Sequence, residues 1–356
     1  MLEKILQSFG LNGSDYQVQF FGSGLINHTF KVSGRGEVYI LQQVNSDVFK
    51  SPQDIVNNLT LIQEYLNKLY PDYLFVGPMP TLTDEFLVES DGGKYYRLFP
   101  FIKGSQTINF ISNEKQAFEA AKQFGKFTYL LKDFDLGLLK YTLTDFHNLE
   151  LRFQQFEAAA KGANSERTEE ASAEIKEVYK HNSILQTYRS ILANKEVPVR
   201  VIHHDTKISN VLFDEQQNGL CVIDLDTVMP GYFFSDVGDM MRTYLSPANE
   251  EETDLSKIHI REAVFSAICK GYLSEMGSIF TGKEKQYFVF SGEFMIYMQA
   301  VRFLTDYLNN DIYYGAKYLG HNLNRAKNQF KLLNEYIRNE GKFKKLIAQA
   351  ETESFS

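Results

Sequence analysis

Two short stretches of this 356-residue chain combine residue types and spacings that suit phosphoryl transfer. The first is His203-His204-Asp205-Thr206-Lys207-Ile208-Ser209-Asn210, which contains His-x-Asp-x-x-x-x-Asn, and the second is Val222-Ile223-Asp224-Leu225-Asp226. Moving a phosphoryl group needs a carboxylate to orient the acceptor hydroxyl and take its proton, and oxygen ligands to hold metal ions against the phosphates. Asp205 suits the first task, and Asn210 with Asp224 suits the second. Lys207, two positions after Asp205, is placed to reach the γ-phosphate and offset charge on the transferring group. His203 reads as a structural residue that holds the loop by hydrogen bonds. Asp226 follows Asp224 by two, so in extended backbone both carboxylates project to one side, which adds a second metal or acceptor contact. Each residue has an ordinary explanation alone, as a turn cap, a strand start or a surface lysine; their order and spacing together favour the chemical one.

Those residues need a hairpin beneath them, and the pattern supplies it. Val211 to Phe213 and Leu220 to Ile223 are apolar runs joined by a turn containing Asn218-Gly219, so Asn210 and Asp224 should stand at one end of it. Upstream, Tyr16 to Gly22, His28 to Ser33 and Glu37 to Val44 read as strands separated by glycine-bearing turns. The connection Gly22-Ser23-Gly24-Leu25-Ile26-Asn27 could cover phosphates with backbone amides, although two glycines in a hairpin are common. After Pro52, the spacing of Ile55, Leu59, Ile62, Leu66 and Leu69 predicts a helix that also carries Glu64. Glu85 to Ser90 and Lys94 to Ile102 form a further hairpin around Asp91-Gly92-Gly93, ending in Phe99-Pro100-Phe101. Beyond Lys103 long helical periodicities dominate, broken by the compact region 199–238, where the chemistry should lie. The Ala-, Glu- and Lys-rich run 158–180 reads as a solvated helix pair with a loose connection. The expected architecture is α+β and bilobal: residues 1–102 form an N-terminal lobe with a small antiparallel sheet and a helix, and residues 103–356 form a larger, mainly helical lobe that carries the motifs above.

Bulk properties narrow the partners. A formal net charge of −8 argues against nucleic acid or an anionic membrane, both of which demand a basic surface. Two cysteines imply no disulfide framework and suit a reducing cytoplasm. No segment has the uninterrupted apolar length of a membrane span, and the first ten residues carry no export-signal pattern.

With these motifs assembled, the chain resembles the aminoglycoside phosphotransferase and choline kinase superfamily, of protein-kinase-like fold. Within it, the sequence is similar to the N-acetylhexosamine 1-kinases. The likeness runs through Gly22-Ser23-Gly24-x-Ile26-Asn27, Tyr39-Ile40-Leu41-Gln42 and the His204 to Leu212 segment. It continues through Cys221 to Gly231, Asp236-x-Gly238-Asp239-x-x-Arg242, Arg302 to Leu308 and Tyr318 to Ala326. The resemblance implies transfer of the ATP γ-phosphoryl group, with Mg2+, to the anomeric hydroxyl of N-acetylglucosamine or N-acetylgalactosamine. It casts Asp205 as base, Asn210 and Asp224 as magnesium ligands, and Asp236 as the brace of the catalytic loop. Gly22, Ser23, Gly24, Asn27, Gln42, Phe99 and Phe101 would meet the nucleotide, the last two at the hinge. Asp226, Arg242, Arg302 and Tyr313 would contact the sugar, against the simpler alternatives of an Arg302–Asp306 ion pair and core packing of Tyr313. One departure stands out: the third strand offers Gln42 and Gln43 where this fold usually places a phosphate-binding cation, so Glu64 lacks an assured partner and Lys207 becomes a candidate for that duty. A kinase of choline, homoserine or an aminoglycoside is the rival reading, and a silent nucleotide-binding module a more distant one. The sequence leaves the oligomeric state open.

Overall fold

A computed structural model describes residues 2–22 and 26–354, with side chains described to residue 350. Ser23 and Gly24, expected to meet the nucleotide, lie outside the described residues. Helix α1 (Leu2–Ser8) precedes strands β1 (Gln17–Phe20), β2 (His28–Gly34) and β3 (Glu37–Val44); helix α2 (Pro52–Leu69) follows, then β4 (Val88–Glu89) and β5 (Tyr95–Pro100). These strands make one antiparallel sheet in the order β1-β2-β3-β5-β4. Strand alternation sorts its two faces. Val32, Leu41, Tyr96 and Leu98 turn inward with Ile5, Leu6, Phe9 and Leu11 to form a small core. On the opposite face the register aligns Thr29 with Gln42 and Gln42 with Arg97. The outer strands are shorter than their sequence patterns suggest: β1 spans only Gln17–Phe20, and only Val88–Glu89 of the run after Glu85 pairs with β5.

Pro52 opens α2 at a position where its missing N–H costs nothing. Of the predicted stripe, Leu69, the last residue of the helix, is exposed, whereas Ile55, Leu59, Ile62 and Leu66 are buried and pack into the main core shared with the large lobe. Each such side chain contributes roughly 1.5–3 kcal/mol. Asn58 interrupts that apolar stripe and is itself buried: its amide donates to the carbonyls of Lys140 and Val228 (2.8 and 3.0 Å) and accepts from the Lys140 N–H (2.8 Å). One polar side chain thus ties α2 to the large lobe in register.

The remainder is mostly helical. Strand β6 (Gln106–Thr107) precedes α3 (Glu114–Leu130), whose start is capped by Asn113 accepting from the Gln116 N–H. Helices α4 (Leu149–Gly162), α5 (Ser165–Glu170), α6 (Ser172–Lys180) and α7 (Asn182–Asn194) come next. Run 158–180 is less solvated than its composition suggests, because Ala171 and Val178 are buried in the main core. Then come β7 (Arg200–Ile202), β8 (Val211–Phe213), β9 (Gly219–Val222) and β10 (Met229–Gly231), followed by α8 (Phe233–Tyr244) and α9 (Glu262–Met276). The short α10 (Gly282–Gln286) leads into α11 (Phe288–Leu308), and α12 (His321–Arg338) and α13 (Glu340–Ser354) close the described chain. Strand β6 pairs with β8 and β8 with β9, while β7 pairs with β10. The architecture is a bilobal, protein-kinase-like fold with an antiparallel-sheet lobe and a larger helical one. Among the described residues no helix is long and apolar enough to cross a membrane.

Candidate active site

The β8–β9 hairpin sets the floor of the site. Val211 pairs with Val222, and the Ile223 N–H donates to the Asn210 carbonyl (2.9 Å), which brings Asn210 and Asp224 to the same end. Asp224 sits at φ +60°, an uncommon conformation for a non-glycine residue, and its carboxylate opens to solvent. Confinement among protein atoms first, and the charges of Asp226 and Asp205 second, push its pKa up to about 6.

The loop from His203 to Asn210 is held from several directions. Asp236, in the first turn of α8, accepts the backbone N–H groups of His203 (2.9 Å) and His204 (2.7 Å) on separate oxygens. Burial raises the Asp236 pKa to about 6 even though those contacts oppose it. Asp239, one turn on, accepts the Thr206 N–H (2.9 Å), and the Thr206 hydroxyl donates to the Asp236 carbonyl (2.8 Å). Tyr244 closes the set by donating to the Thr206 carbonyl (2.6 Å). The His203 ring accepts from the Asp205 N–H and donates to the Ile223 carbonyl (2.9 Å), so the neutral tautomer with its proton on Nε2 satisfies both. It links the loop to the hairpin end beside Asp224.

His204 takes φ +67° immediately before Asp205, and its Nδ1–H donates to the Thr227 carbonyl (3.0 Å). Burial pushes its pKa down to about 3, so the ring is neutral. A Cβ at Gly231 would lie 2.4 Å from His204 Nε2, which gives that glycine a physical reason: only its bare backbone lets the ring pack there.

Lys207 Nζ is 2.9 Å from Asp205 Oδ2. Burial alone would raise the Asp205 pKa, but Lys207, His203 and Asn210 outweigh it and hold the carboxyl below its ordinary value. Burial likewise works against the Lys207 charge, yet Asp205, Asp224 and Asp239 push its pKa up. Asp205 is therefore an ionised carboxylate with a cation beside it. Asn210 donates through Nδ2 to the Asp205 carbonyl (2.9 Å), which fixes the orientation of its amide.

Asn210 and Asp224 suit magnesium better than a metal that demands a full protein cage. Mg2+ usually takes one or two side-chain oxygens and fills its remaining positions with water and phosphate. The elevated Asp224 pKa marks negative charge crowded where a cation would relieve it.

Several residues expected at the substrates are engaged elsewhere. Asp226 is buried, ion-paired to Arg97 and bonded to Asn27 Nδ2 (2.7 Å). Asn27 also accepts the Asn45 N–H through Oδ1 (3.0 Å). Both side chains hold the small lobe to the large one, and neither presents a free polar atom pair to a sugar or nucleotide. The Gln42 amide oxygen accepts from Arg97 and its nitrogen donates to Thr29 Oγ1 (3.2 Å). Arg242 is clamped between Asp239 (2.9 Å) and Glu250 (2.7 Å), which turns it into a support for Asp239. The Phe101 N–H donates to the Val38 carbonyl (3.3 Å), so that hinge donor is taken, while the Phe99 ring lies 5.0 Å from the Arg97 guanidinium. Gly22 follows β1 at φ +83°, and Glu64 is exposed.

Arg302 and Tyr313 form a different kind of wall. Arg302 makes no ion pair with Asp306; its Nη1 donates to Gln299 (3.2 Å), and its guanidinium faces the rings of Phe146, Tyr313 and Tyr314 at 5.8, 5.9 and 5.5 Å. Asp306 instead accepts the backbone N–H groups of Tyr313 (2.7 Å) and Tyr314 (2.9 Å), shaping the segment that carries both rings. Tyr313 is 73% exposed, far from core packing. Behind the wall, His147 stacks on Phe146 and lies 5.4 Å from the His204 ring; burial first, then the charges of His204, Arg302 and Arg242, hold its pKa well below the ordinary value.

Sequence reasoning missed Arg97, Asn58, Asp239 and His147. An arginine inside the strand Tyr95-Tyr96-Arg97-Leu98 and an asparagine on the apolar stripe of α2 were visible irregularities, but their partners Asp226 and Val228 lie 129 and 170 residues away in sequence.

Comparison with known proteins agrees with this geometry. The Phosphotransferase enzyme family model matches residues 17–264. In overall structure the chain is similar to a microcompartment-associated aminopropanol kinase, with TM-score 0.66, 14% identity, and coverage of 96% of this chain and 98% of that one. It is similar also to an amicoumacin kinase, with TM-score 0.62, 13% identity and coverage of 94% and 92%. A choline kinase from Cryptosporidium parvum Iowa II gives TM-score 0.55, 14% identity and coverage of 100% of this chain and 99% of that one. At these identities the structural likeness speaks for the fold, whereas the family model spans most of the chain and includes both chemical motifs: this protein belongs to the phosphotransferase enzyme family.

Proposed function

We propose that this phosphotransferase moves the γ-phosphoryl group of Mg-ATP to the anomeric hydroxyl of an N-acetylhexosamine, N-acetylglucosamine or N-acetylgalactosamine, giving the sugar 1-phosphate and ADP. The observation that carries the reading is the ionised Asp205 with Lys207 at 2.9 Å, on a loop braced by Asp236 and beside the hairpin end that bears Asn210 and Asp224. The sugar hydroxyl oxygen bonds to the γ-phosphorus, the bond from that phosphorus to the β,γ-bridging oxygen breaks, and the hydroxyl proton passes to the Asp205 carboxylate. A low pKa does not disqualify Asp205, because an anomeric hydroxyl is more acidic than an ordinary alcohol and positioning supplies much of the catalysis. Lys207 offsets charge on the equatorial oxygens. Asn210 and Asp224 would hold magnesium, which would neutralise charge on the phosphate oxygens.

Support for the acceptor class comes from the Arg302 wall. A choline or aminoglycoside acceptor needs carboxylates or an aromatic cage without a competing cation. Here the aromatic rings already face an arginine, and among the described residues Arg302 has no carboxylate partner. That surface suits a neutral, oxygen-rich ring. Two buried free cysteines fit a cytoplasmic enzyme.

The deciding experiment is magnesium-dependent ADP release with N-acetylglucosamine, N-acetylgalactosamine, glucose, galactose, choline and kanamycin as acceptors. Turnover confined to the N-acetylated sugars, and lost in Asp205→Asn, is the expected result. Turnover on choline or kanamycin alone overturns the acceptor assignment.

A further inference from the structure

The third strand lacks the cation that this fold would normally set against the nucleotide phosphates, and the register of the sheet shows what stands beside the gap. Arg97 on β5 is the direct partner of Gln42 on β3, on the sheet face opposite the small core. Its side chain is 1% exposed. Gln42 Oε1 accepts from Arg97 Nε (3.3 Å) and Nη2 (2.9 Å), and the Gln42 amide is itself oriented by Thr29. Nη2 also pairs with Asp226, whose other oxygen is held by Asn27 and whose carbonyl accepts from Thr142 (2.7 Å). The fixed guanidinium leaves one group over: Nη1 is buried and, among the described residues, has no hydrogen-bond partner.

A buried guanidinium nitrogen without a partner is rare in folded proteins, because its lost hydration is not compensated. A cation so completely oriented, with one donor left over, is preorganised for an anionic oxygen. Its partner Asp226 follows Asp224 by two residues, so the guanidinium is tied to the segment assigned above to metal and phosphate.

We propose that Arg97, reaching in from β5, is the small lobe's nucleotide-phosphate ligand, its Nη1 donating to an α- or β-phosphate oxygen while Gln42 and Asp226 hold the rest of the guanidinium in place. Asp226 then acts as a positioning residue for Arg97, in the role expected of a helix glutamate such as Glu64, and not as a sugar ligand. Lys207 serves the γ-phosphate and Arg97 the phosphates behind it. This rests on the ATP-dependent reading above.

The test is calorimetric titration of Mg-ADP and of adenosine into wild type, Arg97→Lys and the double variant Arg97→Met/Asp226→Asn. Removing Arg97 alone would strand the buried Asp226 carboxylate and endanger folding; the double variant removes both charges and keeps an amide that can bond Asn27. We expect Mg-ADP affinity to fall at least about tenfold in the double variant, with Arg97→Lys intermediate, while adenosine affinity changes less than about twofold, the loss of one charged hydrogen bond. Unchanged Mg-ADP affinity in the double variant, or an equal loss for ADP and adenosine, overturns the assignment. If wild type itself binds no Mg-ADP, the kinase reading fails and this assignment fails with it.

Discussion

The catalytic loop and the Arg302 wall lie in the same lobe but are built on opposite principles. Around Asp205, the N–H groups of His203, His204 and Thr206 are all captured by Asp236 and Asp239, and the Thr206 carbonyl and hydroxyl are tied as well. At the wall, Arg302 has one 3.2 Å hydrogen bond and three ring faces, and Tyr313 is anchored by its backbone while its side chain faces solvent. The difference teaches which part of the reaction tolerates slack. In-line transfer loses rate with small displacements of the reacting groups, whereas an acceptor molecule can be met by a surface that adjusts. Chemistry should therefore be brittle to substitution and recognition graded.

The largest effect should come from Asp205→Asn, which keeps shape but removes the proposed proton acceptor. Its kcat should fall by about 10³ or more, with the thermal midpoint nearly unchanged, at the upper part of the range for general-base loss. Retained turnover would dissolve the contrast at once.

Next is Asp236→Ala, which touches neither substrate but releases two loop N–H groups. We expect kcat to drop by about 10² and stability by roughly 1–3 kcal/mol, because buried donors lose their acceptors. The wild-type pH profile sharpens this. Asp236 has a folded pKa of about 6, above its unfolded value, so the native state binds this proton more tightly. As pH falls from about 6 towards 4, this group should therefore add to stability while its loss of charge loosens the loop and lowers kcat. A pH–rate profile at saturating magnesium, run beside melting curves, checks whether the two trends diverge. Asp205 should not produce that acid limb, since Lys207, His203 and Asn210 hold it ionised.

Lys207→Ala should cost kcat about 10², the scale for one electrostatic donor to the transferring group, and leave the ATP KM within a few-fold. It should also let the Asp205 pKa rise, because the cation that holds it down is gone. Unchanged kcat would leave Lys207 a bystander.

On the other side of the comparison, Arg302→Met should raise the acceptor KM about 10- to 30-fold with little change in kcat, the loss of one charged hydrogen bond made equally in ground and transition states. Tyr313→Ala should be smallest, about twofold, as befits an exposed ring. A kcat collapse in either variant would mean that the wall takes part in the chemistry.

Much of the floor of the site is legible from local sequence. Asn210 and Asp224 meet because a hairpin with Asn218-Gly219 at its turn must bring its two ends together, and the α2 stripe is buried because its apolar residues repeat with the helical period. The carboxylates and arginines were harder to assign. Asp226, Arg242 and Gln42 look like ligands when read as residue types, yet each has an intramolecular partner that competes for the same polar atoms. For Tyr313 and Arg302 the simpler alternatives, core packing and an ion pair with Asp306, do not hold: Asp306 is occupied by backbone donors and the tyrosine turns outward. Run 158–180 shows the same limit: composition reports its polarity but not that Ala171 and Val178 would find the main core.

By itself, the sequence determined the motifs, the hairpin that aligns them and the division into a sheet-rich and a helical part, because these follow from periods and turns only a few residues long. Only the tertiary structure decided which charges are available and which are already matched. Arg97 meets Asp226 across 129 positions and Asn58 meets Val228 across 170, and pairings of that span depend on how sheet, helix and hairpin pack, which no local period encodes.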